Sequence, residues 1–167
     1  STITLVDQKP APGGHWLDSY PYVRLHQPAS FYGVNSERLE TSSGDLSSKQ
    51  EILSYYSKVL YGMEKAGRVK FFGMMEHTGN GQVRSIVDPH KKVKFEIKKR
   101  LVDSTYMKVE VPSTTPPKFE VSNNVKLVPP NHLFSLSTSC ERYNIIGAGK
   151  TAVDAICFLI DSGVPQE

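Results

Sequence analysis

The sequence predicts an α/β fold with an antiparallel β hairpin or meander in its middle, and three patterns predict it. The chain opens with a short strand in which polar and apolar residues alternate, and an amphipathic helical pattern follows. The middle contains further alternating runs bounded by turn residues, which are typical of antiparallel strands. Near the C-terminal end, an apolar run, a glycine-rich turn and a helical run follow one another directly.

The first predicted strand covers residues 2–7, where polar residues alternate with β-branched or aliphatic ones. The Pro-Ala-Pro-Gly-Gly segment that follows requires a loop, so Asp7 stands at the C-terminal end of the strand. Residues 13–35 are rich in aromatic residues but follow no period. Because a loop of this length in a compact domain is usually functional, we expect these residues to form part of a site.

The most regular pattern along the chain is a helix. Ser48-Lys49-Gln50-Glu51 fits a capping box, which predicts the start of the helix, and Gly67 predicts its end. The apolar residues that share one face at helical spacing are Ile52, Tyr56, Val59, Leu60 and Met63.

Four strands are predicted after this helix, the middle two as a hairpin that turns at residues 88–91. Prolines make residues 112–138 an irregular connection with at most one short strand, residues 125–128. The four predicted strands are residues 69–72, 82–87, 93–97 and 101–111.

A glycine fingerprint connects a predicted strand, residues 143–146, to a predicted helix, residues 153–160. The turn between them reads GxGxxA, the pattern of a dinucleotide-binding unit. In such a unit Gly147 permits the tight turn, Gly149 lets the backbone approach a pyrophosphate, and the small Ala152 lets helix and strand pack closely. The helix N–H groups then point at the phosphates.

The glycine turn at residues 147–149 allows two other interpretations. One is a purely structural glycine turn. The other is a Walker A loop, suggested by Gly149-Lys150-Thr151, but its spacing would need glycine where Asn144 stands. Lys150 and Thr151 open the helix and could contact phosphate, although a lysine at this position is often part of the plain surface.

The two ends of the sequence indicate incomplete nucleotide units. In a Rossmann unit, an acidic residue ~20 positions past the first glycine holds the ribose. Asp7 resembles that residue, with its glycine turn before residue 1, whereas twenty positions beyond Gly147 is Glu167, the last residue. We therefore expect a partial two-dinucleotide-binding, Rossmann-like fold that is truncated at both ends.

Composition excludes several classes of protein. The net charge is +3 and the isoelectric point is about 8.8, so the chain is not a polyelectrolyte. Cys140 and Cys157 are too far apart for a CxxC pair, which excludes a dithiol centre and indicates a reducing, cytoplasmic location. No run approaches the ~18 apolar residues of a membrane span. The basic cluster at residues 90–100 alternates with apolar residues, which favours a solvated strand over a nucleic-acid interface.

Five motifs together resemble the flavin-containing monooxygenase-like branch of the FAD/NAD(P)-dependent oxidoreductases. The resemblance covers nearly the whole chain, although the middle matches by order of elements only. The first family GxGxxG is absent, so we expect FAD binding only within a longer protein. The motifs are the strand ending at Asp7, Pro-Gly-Gly-His-Trp at 12–16, Tyr-Val-Arg-Leu-His-Gln-Pro at 22–28, Gly-Val-Asn-Ser at 33–36, and Gly-Ala-Gly-Lys-Thr-Ala-Val-Asp-Ala at 147–155.

This resemblance implies an FAD-binding domain at residues 1–138 that lacks its first βα unit, and the first βα unit of an NAD(P)-binding domain at residues 139–167. Asp7 is expected to hold the FAD ribose, and Asn35 is expected to act as the catalytic residue near the flavin ring. The other residues expected to bind FAD are Gly13, Gly14, His15, Trp16, Arg24 and Gln27. The residues expected to bind NADPH are Gly147, Gly149, Lys150, Thr151 and Ala152.

The same residues allow structural interpretations. Asp7 could be a strand-end turn residue, Asn35 a turn or helix-cap residue, and Trp16 part of the core. Gly13 and Gly14 could simply form a tight loop. His15 and His26 are not spaced like metal ligands, so no metal is expected.

The function implied by the resemblance is hydride transfer from NADPH to FAD, with NADH as the alternative donor, followed by oxygen activation or electron transfer to a small-molecule substrate. Chemistry of this kind belongs mainly to the cofactor. The alternatives are a catalytically inactive remnant that serves as a binding module, and a flavin reductase without oxygenation. A nicotinamide-only dehydrogenase is disfavoured by the Gly-Gly-His-Trp loop, and formation of a homo-oligomer is left open.

Overall fold

The computed structural model describes residues 2–40, 46–105, 110–136 and 140–165. They form a mixed α/β structure with small sheets, which confirms the predicted class. Two short 3-10 helices, Gly14–Leu17 and Ala29–Phe31, lie in the first long loop. The other elements are β1 (Ile3–Val6), β2 (Gly33–Val34), β3 (Glu37–Arg38), α1 (Lys49–Lys65), β4 (Val69–Phe72), β5 (Met75–Gly79), β6 (Gln82–Ser85), β7 (Lys92–Lys94), α2 (Pro130–Leu133) and α3 (Lys150–Asp161).

The chain divides into two compact units, and each is discontinuous in sequence. The predicted boundary at residue 138 stays a prediction. Unit 1 consists of Ser1–Asp18, Gly33–Leu39 and Gln50–Met107, and unit 2 consists of Ser19–Tyr32, Glu40–Lys49 and Lys108–Glu167.

Unit 1 is built on two parallel strands, β1 and β4, in a register that pairs Ile3 with Val69 and Val6 with Phe72. Parallel strands cannot be joined by a tight turn, and α1 lies in the connection between them. Both strands and the helix were predicted from the sequence and are confirmed.

Helix α1 begins directly after Ser48 and ends before Gly67, as the capping box and the glycine predicted. Gly67 has a positive φ of 66°, and its N–H donates to the Glu64 carbonyl at 2.9 Å. The predicted apolar face needs one correction, because Tyr55 is buried with Ile52 whereas Tyr56 is only half-buried. The hydroxyl of Tyr55 has polar partners in the interior, which apolar periodicity does not reveal.

An antiparallel sheet in the order β5-β6-β7 forms the predicted meander. The turn at residues 88–91 is confirmed, since the Lys91 N–H donates to the Asp88 carbonyl at 3.0 Å. Strand β5 was not predicted, because it has few β-branched residues. Its connection to β6 is an Asn80-Gly81 turn with positive φ at both residues, which is a strong hairpin signal.

Three predicted strands are wrong. Residues 101–105 and 110–111 form no strand, and residues 106–109 lie outside the described residues. Residues 125–128 and 143–146 also form no strand. A strand exists only through pairing with a neighbour, and no strand in the described part of the chain pairs with these segments.

Unit 2 contains α2, α3 and the segment that precedes α1. Helix α3 buries Ala152, Ala155 and Leu159. The segment around Arg24 pairs with residues 47–49 through a bridge to Ser48 and a 2.8 Å bond from the Leu25 N–H to the Ser47 carbonyl.

A two-residue turn, Asn35-Ser36, joins β2 and β3 in unit 1, and Tyr55 of α1 holds this hairpin. The Tyr55 hydroxyl accepts from the Val34 N–H and donates to the Glu37 carbonyl, both at 2.7 Å. A Cβ at Gly33 would lie 2.6 Å from this hydroxyl oxygen, so the close approach requires glycine.

We expect Tyr55→Phe to lower the free energy of unfolding by about 2 kcal/mol, because two hydrogen bonds are lost and the Val34 N–H loses its partner. Denaturant unfolding monitored by circular dichroism measures this change. Tyr61→Phe, on the exposed part of the same helix, is the control and should have little effect. Equal stabilities of the two variants would contradict the role of Tyr55.

Candidate functional site

The predicted site residues are distributed over both units, and each group has its own local geometry. Unit 1 contains the C-terminal end of β1 and the Asn35 turn. Unit 2 contains the glycine turn at residues 147–149 and the segment that carries Arg24 and Gln27.

Asp7 lies directly after β1, as predicted. Its N–H donates to the Phe72 carbonyl of β4 at 3.1 Å, and its carbonyl accepts from the N–H of Met75, the first residue of β5, at 2.9 Å. Its carboxylate Oδ1 accepts from the Lys9 N–H at 2.9 Å. This is an Asx-type turn, so the geometry supports the turn interpretation and leaves the ribose role a prediction.

The loop after β1 packs its glycines and aromatic residues in different ways. Gly13 precedes the first 3-10 helix with a φ of 133°, and a Cβ there would collide with the Leu53 side chain of α1. Gly14 also has a positive φ, 53°. Trp16 is buried and His15 is exposed, with their ring centroids 5.3 Å apart. Gly13 and Trp16 therefore have packing roles in the fold itself.

Asn35 is exposed in the tight turn between β2 and β3. The hairpin on either side of it is fixed by Tyr55, so the turn has a defined position within unit 1. Both interpretations of Asn35, as a turn residue and as a group presented to a ligand, are compatible with this placement.

The glycine turn of unit 2 leads directly into α3. Gly147 has a φ of 134°, a conformation that favours glycine, and Gly149 is the N-cap residue. The helix begins at Lys150, three residues earlier than predicted. A Cβ at Gly147 would be 3.9 Å from the Cβ of the buried Ala152, which is ordinary van der Waals contact. The close packing of helix and strand expected at Ala152 is not seen, because residues 143–146 form no strand.

Two observations indicate that the glycine turn and the start of α3 have room for a dinucleotide pyrophosphate. The turn is exposed, and a Cβ at Gly149 would meet no atom within 4 Å, so there is open space in front of the backbone. Gly149 supplies no side-chain cap, so no N-cap side chain competes for the first N–H groups of the helix. Such groups bind anions readily.

The side chain of Lys150 has partners within unit 2. Its ammonium donates to the Arg24 carbonyl and pairs with the Asp154 carboxylate one turn along α3. The Tyr20 hydroxyl donates to the same carboxylate at 2.7 Å. The polar cluster therefore consists of Tyr20, Lys150 and Asp154.

Tyr22 packs beside this cluster. Its ring stacks on Phe158 of α3 with centroids 4.3 Å apart, and its hydroxyl donates to the Pro130 carbonyl at 3.0 Å. Burial raises the pKa of Tyr22 to about 12, and the negative charge of Asp154 contributes to the rise. Burial, followed by the hydrogen bond to Asp154, raises the pKa of Tyr20 still further above its usual range.

Arg24 and Gln27 lie near each other in sequence but differ in environment. Arg24 is exposed, and its guanidinium donates to the Leu46 carbonyl at 3.1 Å. Gln27 is half-buried just before the second 3-10 helix. Their predicted contact with FAD stays a prediction.

The sequence did not reveal the roles of three residues that organise these sites, Tyr20, Tyr55 and Asp154. The hydrogen bond from Tyr20 to Asp154 spans 134 positions in sequence and has no local signal. Tyr55 was assigned to no site. The i, i+4 spacing of Lys150 and Asp154 was the one signal that could have revealed their pairing.

Within the part of the chain that the structure describes, no group of three or more His, Cys, Asp or Glu side chains could hold a metal ion. No helix in this part is long and apolar enough to cross a membrane.

Comparison with known proteins gives relatives of unassigned function. No protein-family model matches the chain. Uncharacterized proteins from two strains of Mycobacterium tuberculosis and from Mycobacterium bovis are 37% identical over 173 residues, which cover 97% of this chain and 32% of each relative. The chain thus spans about a third of the length of the curated relatives it matches. A mutant flavin monooxygenase from Stenotrophomonas maltophilia is a weak structural neighbour, with a TM-score of 0.39 and 14% identity over 55% of this chain and 34% of that chain.

The raised tyrosine pKa values predict a loss of stability in alkali. The folded state favours the neutral phenols of Tyr20 and Tyr22, whereas tyrosines in the unfolded chain ionise near 10.0. Stability from these groups is therefore complete below pH 10 and falls as the pH rises toward about 12. Tyrosinate absorbance and circular dichroism recorded together should show late ionisation that coincides with unfolding.

Tyr22→Phe should reduce this late-ionising fraction by one tyrosine. Ionisation of all eight tyrosines near pH 10 in a chain that stays folded would contradict the prediction.

Proposed function

We propose that this chain is part of an FAD-dependent, NAD(P)H-using oxidoreductase of the monooxygenase-like type that acts on a small-molecule substrate. The observation that carries the proposal is the GxGxxA turn, which leads into α3 with open space before Gly149 and no side-chain cap on the helix. Open space at the turn and main-chain N–H groups at the start of a helix both favour binding of a dinucleotide pyrophosphate.

On the nicotinamide side, main-chain groups bind the phosphates. The N–H groups at the start of α3, at Lys150 and Thr151, are the donors, and Gly149 leaves room for the pyrophosphate. Ala152 keeps the helix close to the turn. NADPH is the donor favoured by the family resemblance, with NADH as the alternative.

On the flavin side, FAD binds at the C-terminal ends of the parallel strands β1 and β4. This is the edge at which α/β folds usually bind their ligands. Asp7 stands at this edge, and the loop at Gly13, Gly14, His15 and Trp16 follows it. FAD, when bound, supplies the hydride-accepting ring. The protein's own residues bind and orient the cofactors and exclude water, and none of them needs to act as a general acid or base.

A flavin reductase without oxygenation is the second candidate. The observation that favours it is the placement of Asn35 in an exposed two-residue turn, where asparagine is common for purely local reasons. The two candidates differ in what Asn35 does after hydride transfer.

We expect Gly149→Val to weaken NADPH binding by roughly tenfold or more, because the branched side chain fills the space for the pyrophosphate and one charge-assisted bond contributes about 1.5–3 kcal/mol. The backbone at Gly149 is extended (φ −84°, ψ 177°), and a Cβ there meets no atom, so the fold tolerates valine. Equilibrium titration with NADPH, carried out on the longer protein of which this chain is proposed to be part, measures the effect.

Gly62→Ala is the matched control, because a Cβ at Gly62 also meets no atom and Gly62 lies in α1. FAD content should not change in either variant. A Gly149→Val protein that loses FAD but keeps NADPH affinity would reverse the assignment of the two nucleotide sites.

We expect Asn35→Ala, in the FAD-loaded protein, to uncouple NADPH oxidation from oxygenation. An amide that acts only after hydride transfer changes the fate of the reduced cofactor without stopping its reduction. NADPH consumption should continue, with more hydrogen peroxide and less oxygenated product, when all three are measured together. Ser36→Ala, the neighbouring residue of the same turn, is the control.

Unchanged coupling in Asn35→Ala would assign Asn35 to the turn alone. A wild-type protein that reduces quinones or dyes but oxygenates no amine, sulfide or ketone would favour the reductase.

A further inference from the structure

Lys150 stands at the first position of α3, where a lysine would add positive charge to a phosphate site. Its ammonium is instead bound on the flank of the helix, to Asp154 and to the Arg24 carbonyl. Asp154 lies four residues further on, about 6 Å along the helix axis. The Lys150 ammonium therefore lies away from the end of α3 that faces the glycine turn.

The carboxylate that holds Lys150 is itself fixed. Asp154 is 17% exposed at its side chain, compared with 33% for Lys150, and it accepts the 2.7 Å hydrogen bond from the buried Tyr20. A simple i, i+4 ion pair on a helix surface needs no such partners and contributes little. The contacts with Tyr20 and Arg24 indicate a specific position for the pair.

We propose that Asp154 is a positioning residue of the nucleotide site: it withdraws the Lys150 ammonium from the phosphates and neutralises its charge, so that main-chain N–H groups alone bind the pyrophosphate. This inference rests on the proposed function. Its consequence is weaker binding of an anionic cofactor. Weak binding suits a nicotinamide nucleotide, which must leave after it has donated its hydride, better than it suits a resident flavin.

Three variants test the role of Asp154, with NADPH affinity measured by titration over a range of salt concentrations. Asp154→Asn keeps an acceptor for Tyr20 but releases Lys150. We expect roughly fivefold tighter NADPH binding at low salt, which decreases as salt screens the freed charge. Lys150→Met alone leaves the Asp154 charge uncompensated, so it should weaken NADPH binding at low salt, and the loss should shrink as salt is added. The double variant Asp154→Asn/Lys150→Met carries neither charge and should return to within about twofold of wild-type affinity.

Glu76→Gln is the matched control, because it makes the same charge change and frees Arg84 from its ion pair in the antiparallel sheet. It should leave NADPH affinity unchanged. Circular dichroism and thermal unfolding verify that each variant is folded. Rescue by Asp154→Glu, with a return toward wild-type salt dependence, would support control by the carboxylate charge.

Two results would overturn the inference while the proposed function stands. One is wild-type NADPH binding that Asp154→Asn leaves unchanged or weakens in a folded protein. The other is a clear loss of affinity in the Asp154→Asn/Lys150→Met double variant relative to wild type, which would make Lys150 a direct phosphate ligand. A longer protein that contains this chain and binds neither NADPH nor NADH would instead overturn the proposed nucleotide site, and the Lys150–Asp154 pair would then be structural only.

Discussion

The parallel pairing of β1 with β4 is the constraint on which the rest of unit 1 depends. Because parallel strands need a long connection, the chain must place α1 between them. The pairing continues at Asp7, whose carbonyl accepts a hydrogen bond from the N–H of Met75, the first residue of β5. Strand β5 is the first strand of the antiparallel sheet. One backbone register therefore determines the position of Asp7, the helix and the meander.

Local signals predicted most of this architecture. The capping box at Ser48, the glycine at position 67 and the alternation in β1 each depend on neighbouring residues only, and each gave correct elements. Residues 143–146 show the limit of such signals. Their composition is that of a strand, but a strand also needs a partner, and composition carries no information about whether one is present.

The candidate sites likewise contain some features that the local sequence predicts and others that it does not. The GxGxxA pattern predicted the turn and the helix, because tight turns and close packing limit which residues fit there. The environment of Lys150 could not be predicted, since it is set by Tyr20 and by the Arg24 carbonyl, more than a hundred positions earlier in the chain. Likewise, Tyr55 fell outside the apolar period because its hydroxyl, not its ring alone, decides where it lies.

The contact between Gly33 and Tyr55 restricts substitution in one direction only. With the hydroxyl in place, even a methyl group at position 33 would collide with it, and the glycine also has a φ of 120° that other residues rarely adopt. A side chain at position 33 would therefore require both the loss of the tyrosine hydroxyl and a different backbone conformation in the turn. Position 55 can change while Gly33 is kept, whereas a side chain at position 33 needs a prior change at position 55, so the order of the two substitutions is fixed.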